Sequence, residues 1–160
     1  KNNMYVSYNE LNEKARCWVF ITDKPIIENK YIVTEFLKNL CQKWVSHGKD
    51  VVSSFQLYKE NFIILFAEDE ISGCSIDSSS ALLRESLNQL KIDIQPNSKI
   101  GIFIGENIEF KDRSTLIKLI SNKELSAENK MVNTTVKNKE EFDKNWVLDI
   151  NKSWLINFIK

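Results

Sequence analysis

Phe62-Ile63-Ile64-Leu65-Phe66-Ala67 contains no polar side chain in six consecutive positions. Alternate residues of a strand face opposite sides, so a half-solvated strand would alternate, and a continuous run implies cover on both faces. Cys17-Trp18-Val19-Phe20-Ile21 has the same character and ends at the breakers Thr22-Asp23-Lys24-Pro25. These two runs set the expected architecture. Residues 51–58 precede the 62–67 run across the turn-like Lys59-Glu60-Asn61, which predicts a hairpin. Val33, Leu37, Leu40 and Trp44 recur at helical spacing and predict one apolar stripe on a helix over 26–46, closed by Gly48. A second helix is expected over 75–90, with Ile76, Leu83, Leu87 and Leu90 on one face, and Pro96 ends that segment.

With 99–104 as the next strand, the order over 16–104 is strand, helix, strand, strand, helix, strand. That is the order of a ferredoxin-like split βαβ sandwich, an α/β (α+β) fold with helices on one face of an antiparallel sheet. The expectation is a single globular domain of 160 residues, in which 105–160 form a hairpin and helical extension over the core. The extension would contain a strand over 107–111, a helix from Asp112 to about 121, a short strand over 131–136, a helix over 139–145 and an apolar terminal segment over 154–159. Because both long runs need cover on a second face, the C-terminal third with Trp146, Trp154, Leu155 and Phe158 is the first candidate to supply it. A second copy of the chain, as a homodimer, is the next.

Composition removes several classes of function. Twenty-two basic residues balance 22 acidic ones, so no global field draws the protein to nucleic acid or an anionic membrane. No apolar stretch approaches the ~20 residues of a membrane span. The first residues lack the apolar core of a signal peptide, and a soluble cytoplasmic protein is expected. Cys17, Cys41 and Cys74 are three widely spaced cysteines, which fits reduced thiols better than a disulfide framework. No closely spaced His/Cys set suggests a metal, and Glu68, Asp69 and Glu70 fit a surface loop as well as a hard-cation site. No cofactor is implied. Four glycines, at 48, 73, 101 and 105, give neither a Walker loop nor a dinucleotide fingerprint, which excludes an ATPase of the P-loop kind. Trp18, Phe20, Phe62 and Phe66 occupy segments that stack bases in RNA-recognition sheets, yet no basic residues interleave with them, and core is their expected fate.

The chemistry-bearing feature is Ser72-Gly73-Cys74-Ser75-Ile76-Asp77-Ser78-Ser79, a thiol and four hydroxyls where the apolar strand gives way to the second helix. Helix N-termini hold unpaired N–H groups that attract anions and lower cysteine pKa values. In the expected topology the lone histidine, His47, leaves the first helix at the same end of the sheet, so Cys74, His47 and Asp77 can be written as nucleophile, base and orienting acceptor. Ser72, Gly73, Ser75, Ser78 and Arg16 would then line a cradle for a small anion or other small ligand. The structural alternative explains the same residues: Ser75 as an N-cap, Asp77 as a complement to the helix dipole, Gly73 as permissive backbone, and His47 before Gly48 as an ordinary helix C-terminus. The functional expectation is a ligand-binding or regulatory domain. A thiol-dependent enzyme or redox sensor, and a protein-interaction module, are the alternatives.

Ala15-Arg16-Cys17-Trp18-Val19, Trp44-Val45-Ser46-His47-Gly48, the 72–78 run and Ser153-Trp154 together resemble a small bacterial family whose members often carry the label "ABC transporter ATPase". The resemblance spans nearly the whole chain and implies no particular activity, cofactor or fold. The label itself has no residue to support it here, since the Walker loop is missing. Arg16, Trp44, His47, Cys74, Asp77 and Trp154 lie on the motif positions.

Overall fold

The computed structural model describes residues 4–68, 71–96 and 98–159, a mixed α+β protein whose chain divides into two compact units. The first comprises the residues up to Gln95 together with Lys137–Glu140, and the second Pro96–Val136 and the residues from Glu141 onward.

In the first unit, β1 (Arg16–Ile21), β4 (Ser53–Tyr58) and β5 (Phe62–Ala67) form an antiparallel sheet in the order β1-β5-β4. The intervening elements are α1 (Lys30–Lys43) and the two-residue strands β2 (Val45–Ser46) and β3 (Lys49–Asp50); α2 (Gly73–Asn88) follows β5. All six residues of β5 are buried, as its sequence demands of a central strand covered on both sides. Ile63, Leu65 and Ala67 pack with Phe20 against the α1 stripe Val33, Leu37, Leu40 and Trp44, and against Leu83 and Leu87 of α2. Phe62, Ile64 and Phe66 point the other way and are equally shielded. At roughly 1.5–3 kcal/mol per fully buried large apolar side chain, a one-residue slip of β5 would misplace both sets at once.

Part of the second-face cover comes from a segment that its sequence does not mark for the task. Tyr8, in a 3-10 turn at Tyr8–Glu10, sets its ring edgewise on Phe66 at 5.1 Å, while Tyr5 bridges to Ser53 at the outer edge of β4. Trp154 and Leu155 pack with the core of the second unit.

Two local expectations change. Helix α1 stops at Lys43, Trp44 is extended, and β2 and β3 form a tight hairpin around His47 and Gly48, whose φ angles are +54° and +74°. Positive φ at both central residues is the requirement of a type I′ turn, so His47 caps a hairpin rather than a helix C-terminus. Helix α2 starts earlier than expected, with Ser72 as its N-cap, and Ser75 is its third residue.

The larger change concerns the fourth strand. β6 (Ile100–Ile104) joins the second unit's sheet, so the four-stranded sheet of the ferredoxin-like order does not form from β1, β4, β5 and β6. The free edge of β1 is met at both ends by short segments instead. Gln95 donates its N–H to the Ile21 carbonyl at 2.7 Å beside a Thr22–Ile94 bridge, and Cys17 donates to the Lys137 carbonyl at 3.0 Å beside an Arg16–Asn138 bridge. Pro96 has no N–H to extend the first of these pairings. Between the two contacts the chain makes the excursion 96–136. In that second unit β6 and β7 (Asn107–Lys111) form the expected hairpin about Gly105-Glu106, and the sheet runs β7-β6-β8-β9 with β8 at Lys130–Val132 and β9 at Val147–Asp149. Helix α3 (Arg113–Ser121) and a terminal 3-10 turn (Trp154–Phe158) supply Leu116 and Leu155 to a core with Ile102, Met131 and Ile150, while α4 (Lys139–Asn145) precedes β9. No helix among the described residues is long and apolar enough to cross a membrane.

Lys139 fastens the returning segment to the first unit. It is 8% exposed, donates from Nζ to the Leu11 carbonyl at 2.9 Å, and sits 4.7 Å over the Tyr8 ring. Lys139→Met keeps the apolar stem and removes both interactions, so it is expected to lower stability by about 1–3 kcal/mol in urea denaturation. An unchanged midpoint would contradict the anchoring role.

Candidate functional site

The remote segments 44–48 and 72–76 meet, and serines join them. Ser75 Oγ donates to the Val45 carbonyl at 2.7 Å and accepts the Trp44 indole N–H at 2.9 Å. Ser72 donates its backbone N–H to Ser46 Oγ at 3.2 Å, and its own hydroxyl accepts the Ser75 N–H at 3.1 Å. Val51 N–H on Trp44 O, at 3.0 Å, closes the base of the hairpin. Ser46, Ser75 and Trp44 are all buried. A buried indole N–H and a buried hydroxyl are costly without partners, so the clamp satisfies groups that burial would otherwise penalise.

The clamp continues outward through aromatic contacts. Trp18 packs on Trp44 with ring centroids 5.8 Å apart, and the Arg16 guanidinium lies 5.0 Å over the Trp18 ring. Arg16 is exposed and has no carboxylate partner among the described residues. It enters the site region through a stacked relay.

His47 at the hairpin tip and Gly73, Cys74, Asp77 and Ser78 on the first turns of α2 are exposed. Among the described residues no hydrogen bond or ion pair engages the side chains of His47, Cys74 or Asp77, so the nucleophile, base and acceptor are not joined in this structure. The N–H groups of Gly73 and Cys74 likewise have no partner among the described residues, because Ser72 takes up only those of Ser75 and Ile76. The three thiols differ sharply: Cys74 is exposed, Cys17 and Cys41 are buried, and burial pushes the Cys41 thiol up to about 12 despite a hydrogen bond with Ser53.

Two other expectations resolve on burial and contact. Phe20, Phe62 and Phe66 are buried and Trp18 is half-buried against Trp44. Glu68 accepts the Asn12 backbone N–H at 2.7 Å, while Asp69 and Glu70 lie outside the described residues. No group of three His, Cys, Asp or Glu side chains able to hold a metal occurs among the described residues. Comparison of the chain with protein-family models, curated proteins and solved structures finds no match.

Ser75→Ala leaves the buried Trp44 indole N–H without its acceptor and is expected to cost about 1–3 kcal/mol, read as a lowered denaturation midpoint. A neutral effect would show that the clamp carries no energy. The glycines should separate in the same assay. Gly48→Ala forces a side chain to φ +74° and should destabilise by about 1 kcal/mol, whereas Gly73→Ala, at ordinary φ with open space around it, should be neutral or slightly stabilising. Permissive backbone is therefore needed at Gly48 and not at Gly73.

Proposed function

We propose that the shoulder between the His47–Gly48 turn and the first turn of α2 binds a small anion, and that the first unit is a ligand-binding or regulatory module. One observation carries this reading: the serine clamp fixes the start of α2 beside the hairpin while the Gly73 and Cys74 N–H groups, the Ser78 hydroxyl and the His47 ring have no hydrogen-bonding partner among the described residues. Unpaired N–H groups at the positive end of a helix dipole attract negative charge. Kinship with the family suggested by Arg16, Trp44, His47, Cys74 and Asp77 is part of the same proposal; in the structure Arg16, Trp18, Trp44 and Ser75, from three of its motif segments, touch one another in sequence. A three-stranded derivative of the ferredoxin-like order, with short edge contacts on β1 where the fourth strand would pair, is the fold reading that goes with it.

A second reading, thiol chemistry at Cys74, is favoured by its being the exposed one of the three cysteines. Self-association is a third, supported by Ile27 and Tyr31, which are 60% and 78% exposed near the start of α1. Sedimentation tests it, and a strict monomer removes it.

Alkylation with iodoacetamide separates the first two readings. In native protein only Cys74 should react, with Cys17 and Cys41 labelled after unfolding. The anion reading predicts slower Cys74 labelling in inorganic phosphate than in chloride at matched ionic strength. Labelling of Cys74 much faster than that of a small free thiol, with no phosphate protection, would favour the thiol reading and overturn the anion cradle. Ordinary reactivity without protection would remove both.

A further inference from the structure

We propose that the second unit carries its own binding cavity for a small planar carboxylate, bounded by β6, β8, the start of α3 and the terminal 3-10 turn. The cavity measures about 430 Å³, within the ~300–1,000 Å³ of small-molecule sites. Its floor is apolar, formed by Ile100 and Met131, which are 6% and 1% exposed, and Trp154 contributes an indole wall. A flat apolar body suits that combination.

Three polar side chains around this floor, Arg113, Ser114 and Thr134, have no hydrogen-bonding partner among the described residues. Arg113 has no carboxylate partner among the described residues, and its guanidinium is held 4.5 Å over the Phe158 ring. Asp112, the acidic lining residue, lies 3.0 Å from Lys99 Nζ, so it does not neutralise Arg113. The hydroxyls of Ser114 and Thr134 also line the cavity without a protein partner among the described residues. Elsewhere the hydroxyls of Ser46, Ser75 and Ser153 are committed to protein groups.

One guanidinium, two hydroxyls without a partner among the described residues and an indole over an aliphatic floor define the ligand by chemistry. A guanidinium fork matches a carboxylate through paired charge-assisted hydrogen bonds. A single cation balances a monoanion better than a phosphate near charge −2, and the apolar floor gives a phosphate nothing to cover. No sequence motif announces this site, because its donors come from two separate segments, the start of α3 and the loop after β8.

Benzoate is the probe, with benzamide as its uncharged counterpart and inorganic phosphate as the competing anion, each titrated into isotope-labelled protein and followed by NMR. Benzoate should shift the Arg113, Ser114 and Thr134 amides and the Trp154 indole N–H saturably. Arg113→Met, or replacement of benzoate by benzamide, should weaken binding by about tenfold or more, the loss expected for a charge-assisted hydrogen bond. Because Arg113 is exposed, the same spectra verify that the variant stays folded, and Thr134→Val provides a second, milder loss. The proposal is overturned if benzoate gives no saturable shift, if benzamide or Arg113→Met binds as tightly, or if phosphate binds where benzoate does not.

Discussion

Shielding both faces of β5 from water is the constraint on which the first unit rests. Six apolar side chains in succession leave no face free for solvent, so each side of that strand needs its own layer. The helices provide one through the stripes of α1 and α2, and the N-terminal turn carrying Tyr8 contributes to the other. Placing α1 and α2 on the same face brings the end of one beside the beginning of the other. The candidate site is a consequence of this packing, since the hairpin after α1 and the first turn of α2 must share a boundary.

That boundary contains polar groups which cannot reach bulk water, and serines resolve the problem. Ser75 serves Trp44 and Val45 together, while Ser46 receives the Ser72 N–H. Part of the serine-rich run is therefore structural, and what remains outward, Cys74 with Asp77 and Ser78, is what can meet a ligand. Arg16 is tied to the same corner through Trp18 and Trp44, so Arg16, Trp44 and Ser75 share one packed corner despite their separation along the chain.

The regular elements were legible wherever periodicity ran long enough. Val33, Leu37, Leu40 and Trp44 identify the buried face of α1, and the uniform run at 62–67 identifies a strand covered on both sides. The end of α1 was not legible, because Trp44 continues the helical spacing while already being extended. Strands of two residues are too short to alternate, so the His47–Gly48 hairpin imitates a helix terminus. Among the serines in the 72–79 run, the choice of Ser72 as cap depends on Ser46, a partner fixed only by tertiary packing. The strand at 100–104 was correctly a strand, but local pattern carries nothing about which sheet receives it. Convergence of the 47 and 74 regions followed from topology, whereas the roles of Ser75 and Arg16 required side-chain geometry.

Hydrogen exchange of the Trp44 indole N–H tests the clamp most directly. If that proton is buried and donated to Ser75 Oγ, it should exchange only through substantial opening of the first unit, at rates comparable to the slowest β5 amides. Exchange near the rate of a free indole, while the β5 amides stay protected, would mean that the hairpin and α2 are not held together, and the proposed anion site would lose its foundation.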